Sequence, residues 1–150
     1  MQLQRIFQRI GNVFIGIILR SPFHGMLSQN TLLLTFTGRI SGKRYTTPVN
    51  YALVGDELLI FSRKDRTWWR NLRGGAPVMF RLQGRTMTGQ GVAFEDEAEV
   101  EEGLMTYLEA VPNFAKYFDV RLDEEGHPNL EDIARIAQPR VLVRIKIGEH

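Results

Sequence analysis

Two short stretches of this 150-residue chain combine residue types that can do chemistry. Gly38-Arg39-Ile40-Ser41-Gly42-Lys43, followed by Arg44, sets two glycines and three cations around one tight turn. A glycine-flanked turn can present backbone amides, and guanidinium or ammonium groups beside it suit an oxyanion such as phosphate or carboxylate. The stretch is not a phosphate-binding P-loop. Only three residues separate Gly38 from Gly42 where four are required, Arg44 stands where Ser or Thr is required, and a strand rather than a helix is expected next. The second stretch, Asp65-Arg66-Thr67-Trp68-Trp69-Arg70-Asn71-Leu72, sets two indoles among arginines. One indole, at helical spacing with Leu72, belongs to the core. The other can face a pocket and stack on a flat aromatic ligand.

Other chemistries are excluded by what the chain lacks. It has no cysteine, which removes thiolate nucleophiles, iron–sulfur clusters and disulfide frameworks and points to a reducing, cytoplasmic setting. Its three histidines, His24, His127 and His150, have no companions at metal-ligand spacing, so no protein-bound metal is expected. There is no GxSxG elbow and no carboxylate pair accompanied by a histidine. That points either to hydride transfer by a bound redox cofactor, for which the protein supplies binding, orientation and electrostatics, or to no catalysis. The charge distribution names the ligand's sign. From Arg39 to Arg85 ten Lys/Arg face three acids, a balance of +7, whereas from Glu95 to Asp132 thirteen Asp/Glu face two cations, a balance of −11. The basic segment suits an anionic ligand: phosphate, carboxylates, nucleic acid or lipid headgroups. The glycine and aromatic signature of RNA-recognition modules is missing, so no nucleic-acid partner is expected.

The elements that must position these residues can be read from hydrophobic periodicity. With 43% hydrophobic residues, 150 residues make one domain of mainly β, α+β class. Residues 2–20 carry apolar groups at helical intervals and form an N-terminal amphipathic helix ended by Pro22. Its apolar stretch, Val13 to Leu19, is far shorter than the roughly twenty residues of a membrane span. Residues 31–95 form the barrel core: Thr31–Thr37, Tyr45–Val54 and Glu57–Ser62 as strands, a short helix over Asp65–Arg73 with Asp65 as its N-cap, then Pro77–Gln83 and Arg85–Phe94 as strands. Residues 97–147 supply helices over Glu97–Ala110, Asn113–Val120 and Leu130–Ala137 and a closing strand, Val141–Ile147.

Leu32 to Tyr51 (LLLTFTGRISGKRYTTPVNY), Thr67 to Leu72 (TWWRNL) and Pro77 to Arg85 (PVMFRLQGR) together resemble the deazaflavin-dependent nitroreductase family of the split-barrel flavin-binding superfamily, which is pyridoxamine phosphate oxidase-like. The resemblance implies a split antiparallel β-barrel that binds coenzyme F420, a hydride carrier with a phosphate and a polyglutamate tail. It implies reduction of an electron-poor acceptor such as a quinone or nitro compound, and a homodimer. Gly38, Arg39, Ser41 and Gly42 match the loop that holds the anionic tail, and Lys43 and Arg44 add charge to it. Thr47, Pro48 and Val49 match the strand beside the deazaflavin ring, and Trp68, Asn71 and Leu72 match the helix near the tail. Many members have lysine where this chain has Ile40 and arginine where it has Tyr45, and Arg44 points to the opposite face of a regular strand. Arg63-Lys64-Asp65-Arg66 replaces a longer proline-containing loop, so Arg63 and Lys64 would serve the same tail, and Tyr117 would be a substrate-side donor. Two other roles for the same fold are an FMN-binding protein and a non-catalytic barrel for a lipid or apolar ligand, touching a membrane through the first helix.

Overall fold

In the computed structural model the described residues are 31–82 and 84–148, so the helix expected over residues 2–20 lies outside them. Seven strands form one sheet: β1 (Thr31–Thr37), β2 (Arg44–Asn50), β3 (Ala52–Val54), β4 (Glu57–Arg63), β5 (Ala76–Leu82), β6 (Arg85–Phe94) and β7 (Arg140–Ile147). A 3-10 turn, Trp68–Leu72, lies between β4 and β5. Between β6 and β7 come α1 (Glu97–Ala110), a second 3-10 turn (Pro112–Phe114), α2 (Ala115–Phe118) and α3 (Leu130–Ala137).

Every pairing is antiparallel, in the order β2-β1-β5-β6-β7-β4-β3. The two edge strands of that order, β2 and β3, are separated in sequence by Tyr51 alone. Consecutive Cα atoms are about 3.8 Å apart, so the two edges must come together and the sheet must curl. This is the half-barrel of a split-barrel α+β fold, as the resemblance implied.

The curl divides the apolar residues between two cores. Leu32, Leu34 and Phe36 alternate along β1 with more exposed neighbours and face the barrel interior, where they meet Leu58, Ile60, Phe80, Val141, Val143 and Ile145. In β4 and β7 the intervening residues are buried as well, because helices cover their outer face. Leu59 and Leu142 point outward into a second cluster with Leu104, Tyr107, Leu108, Ile133 and Ile136. Gly103 lets α1 approach this closely: a Cβ there would stand 2.6 Å from Leu142 Cδ2.

Three expectations are corrected. The strand expected over Tyr45–Val54 breaks at Tyr51, where it leaves one edge of the sheet for the other. The turn at Trp68–Leu72 is 3-10 rather than α-helical and starts at Thr67 with no side-chain cap, since its amides bond three residues back in a segment too short for α geometry. Asp65 instead contacts Arg63. The segment expected to be helical over Asn113–Val120 is a 3-10 turn and one short helix, stopped by the left-handed Asp119. No helix among the described residues is long and apolar enough to cross a membrane.

Candidate functional site

The split in the barrel follows from the register. β3 pairs with only the first three residues of β4, Glu57 to Leu59, while the chain before Tyr51 departs as β2 to pair along the whole of β1. The later residues of β4 therefore lose their neighbour on that side. A cavity of about 350 Å³ opens there, bounded by Thr47–Asn50 on one side and Phe61–Arg63 on the other. Thr47 and Val49 lie on the same face of β2, and Pro48 is admissible because β2 is an edge strand.

Trp68 forms another wall. It is 6% exposed, its Nε1–H donates to Ser62 Oγ at 3.0 Å, and its ring lies 6.0 Å from Phe36. Opposite stand Tyr107, Phe114, Tyr117 and Phe118 from the C-terminal elements. Tyr107 packs edge-on against Phe61 and Phe118. Burial raises its hydroxyl pKa to about 12, so it stays protonated at any physiological pH. Tyr117 is 81% exposed at the rim, its ring tilted 5.3 Å from Phe114.

The remaining lining charges are Arg63, Arg66 and Arg140. Arg140 Nη1 donates to the Ile136 carbonyl at 2.9 Å, and its guanidinium lies 5.1 Å from the centre of the Phe118 ring. Its pKa is pulled down, first by burial and then by the nearby Arg63.

A second cluster surrounds the loop after β1. Gly42 has φ of +70°, a conformation that favours glycine. Its amide donates to the Gly38 carbonyl, the Gly38 amide to the Lys43 carbonyl, and the Lys43 amide to Ser41 Oγ. Ser41 Oγ also shares a 3.0 Å hydrogen bond with Tyr45 OH. The Arg39 amide donates to Asn71 Oδ1, and Asn71 Nδ2 donates to the Trp68 carbonyl. Most of the loop's amides are thus engaged within the protein. What it offers an anion is the charge of Arg39 and Lys43, neither of which forms an ion pair among the described residues.

Of the residues expected from sequence, Thr47, Pro48, Val49, Arg63, Trp68 and Tyr117 come together at the cavity. Arg39, Ser41, Gly42 and Lys43 form the loop cluster, joined to the cavity wall through Asn71 and Trp68. Lys64 sits in the turn after β4, its amide bonded to the Pro139 carbonyl. Arg44 stands apart. The β1–β2 register runs without a bulge, which puts Arg44 on the outer face with Nη2 4.0 Å from Met79 Sδ. Sequence reasoning named Arg66 only among the bases near the cofactor's tail and missed Tyr107, Phe118 and Arg140. Arg66 was visible as part of the basic run, whereas the other three are brought in by tertiary packing that leaves no local signal.

No curated protein sequence matches the chain. Among solved structures, a protein of unknown function from Agrobacterium tumefaciens superposes with a TM-score of 0.53 at 17% identity over 87% of this chain, which spans 57% of that one. A protein described as a domain-swapped dimer gives 0.51 at 17% identity, covering 91% of this chain and 96% of that chain. An F420-H2 dependent reductase, FDR-A, gives 0.50 at 18% identity, covering 78% and 94%. At such identities the likeness speaks to the fold. The family is given by sequence: the model described as F420H(2)-dependent quinone reductase matches residues 19–122, and the chain belongs to that family, whose reductant is reduced coenzyme F420.

Proposed function

We propose that this chain holds reduced F420 between the Gly38–Lys43 loop and the split beside β2, and that a hydride passes there to an electron-poor quinone or nitro compound. The observation that carries this reading is the split itself: an aromatic-walled, cationic cavity linked through Trp68 and Asn71 to a loop with two cations that form no ion pair among the described residues. The donor set fits the cofactor. Arg39 and Lys43 suit its phosphate and acidic tail, with Lys64 in the turn after β4, and Thr47, Pro48 and Val49 offer a flank to a flat ring.

When bound, reduced F420 supplies a hydride, which is two electrons with one proton. The protein's own residues bind, orient and exclude water. Ser41 and Gly42 hold the loop in shape, Asn71 ties it to the indole turn, and the hydrogen bond to Ser62 fixes Trp68 as a wall. Tyr117, exposed at the rim, would donate a hydrogen bond to the acceptor as it gains charge. Arg44, on the outer face, contributes only long-range charge. A homodimer belongs to the same reading, supported by the domain-swapped dimer among the structural relatives. So does a cytoplasmic location, supported by the absence of cysteine.

The test is a titration with F420 and, in parallel, FMN at low and moderate salt, followed by tryptophan fluorescence because Trp68 lines the cavity. Micromolar F420 binding that weakens with salt is expected. Preferential binding of FMN would move the assignment to the flavin branch, and binding of neither to an apolar-ligand barrel.

A further inference from the structure

The cavity lining carries three arginines and, among the described residues, no acid. Arg63 and Arg140 stand directly opposite each other in the β4–β7 register, the placement in which like charges destabilise a sheet. Little offsets the repulsion. Arg63 has a loose 3.5 Å contact with Asp65, and with both side chains more than half exposed it is largely screened. Neither Arg66 nor Arg140 forms an ion pair among the described residues. Arg140 cannot simply swing away, since the Ile136 carbonyl and the Phe118 ring hold it against the cavity. Its pKa is lowered first by burial and then by Arg63. Three arginines lining one concave aromatic site, one of them held in place, suit an anion between them.

We propose that the acceptor is itself acidic, a quinone or nitroarene bearing a carboxylate or sulfonate whose oxygens bridge the guanidiniums of Arg63 and Arg140. This rests on the reductase reading above. It assigns the cations to two ligands: Arg39 and Lys43 to the cofactor, and Arg63 with Arg140, which is held by the Ile136 carbonyl and the Phe118 ring, to the acceptor, so that Arg63 serves the acceptor rather than the cofactor's tail. A quinone takes the hydride and one proton from solvent to become the hydroquinone, and its acidic substituent stays unchanged.

The experiment compares naphthoquinone with naphthoquinone sulfonate as acceptors for the F420-loaded protein, in wild type, Arg140→Gln, Arg140→Lys and Arg63→Gln. F420 affinity and thermal melting are measured alongside. Taking each variant relative to wild type cancels the intrinsic reactivity of the two quinones. Arg140→Gln is expected to lower kcat/KM for the sulfonate at least about 10-fold more than for the neutral quinone, mainly through KM, because a hydrogen bond to a charged group is lost. Arg140→Lys should recover part of that difference, and raised salt should shrink it in wild type. Arg63→Gln, at an exposed position, should show the same selectivity loss even if Arg140→Gln does not fold. Equal losses on both quinones, or a change confined to F420 affinity, would overturn the acidic-acceptor assignment and leave the reductase reading standing. Failure of wild type to reduce either quinone would overturn the reductase reading and this inference with it.

Discussion

Arg121 and Arg140 both lie beside α3, yet one is wrapped by a carboxylate and the other faces a second arginine. The Arg121 amide and Nε donate to Asp132 Oδ2 at 2.9 Å and its Nη2 donates to Oδ1 at 3.1 Å, while Arg135 approaches the same carboxylate at 3.7 Å. These hydrogen bonds hold the Asp132 pKa down at about 2. Arg140 has a carbonyl, a ring and Arg63. The difference separates charges that hold the fold from charges held ready for something else. In the acidic C-terminal segment the buried carboxylate is satisfied internally, whereas the basic segment leaves Arg39, Lys43 and Arg66 without ion-pair partners among the described residues.

The comparison breaks most visibly where the C-terminal layer is structural. Leu104 is fully buried between α1 and the sheet, so Leu104→Ala should cost about 2–5 kcal/mol in urea unfolding. A cost under about 1 kcal/mol would mean that α1 docks loosely and that the aromatic wall built on it is not preorganised. On the basic side the expected effect is on binding instead. Arg39→Ala should weaken F420 binding about tenfold and flatten its salt dependence with no change in melting temperature, because the backbone bond from residue 39 to Asn71 survives. Unchanged affinity in that titration would remove the loop from the cofactor site.

How much of this was legible depends on how local each feature is. The apolar, strand-favouring run Thr31–Thr37 specifies a strand within a few residues, and it was readable. The barrel was legible in the succession of short strands, but not the residue where one segment changes edges, because nothing at Tyr51 marks it. The indole pair was half legible. Trp68 lines the cavity and Trp69 is core, the division expected of the pair, but nothing local foretold that Trp69 would be flanked by the Arg70 and Arg73 guanidiniums with its Nε1–H unpartnered among the described residues. The loop's residue types announced an anion site, yet its amides proved to be used internally, a matter of hydrogen-bond geometry that composition does not carry. Arg140 was invisible as a site residue because its meaning lies in a register with a strand far away in sequence.

The smallest expected effect at neutral pH, and the sharpest test of the comparison, belongs to Asp132→Asn. In the folded chain the Asp132 carboxyl sits at about 2, below its ordinary 3.8, so folding favours the ionised form. A group depressed in this way contributes stability that is complete above its unfolded pKa and is lost as pH falls toward the folded value. Wild-type melting temperature should therefore drop steeply between about pH 4 and pH 2. The asparagine variant should start lower at neutral pH, fall less steeply, and approach wild type in acid. Asn129 still caps α3 through the backbone amide of residue 132, so the substitution removes the charge and leaves the helix start in place. Asp123 and Glu95, also held below their ordinary values, one by backbone amides and the other by Arg73, titrate alike in both proteins and cancel in the difference. Parallel curves would mean that the satisfied pair stabilises no more than the unsatisfied one, and pairing would then cease to separate structural from binding arginines in this chain.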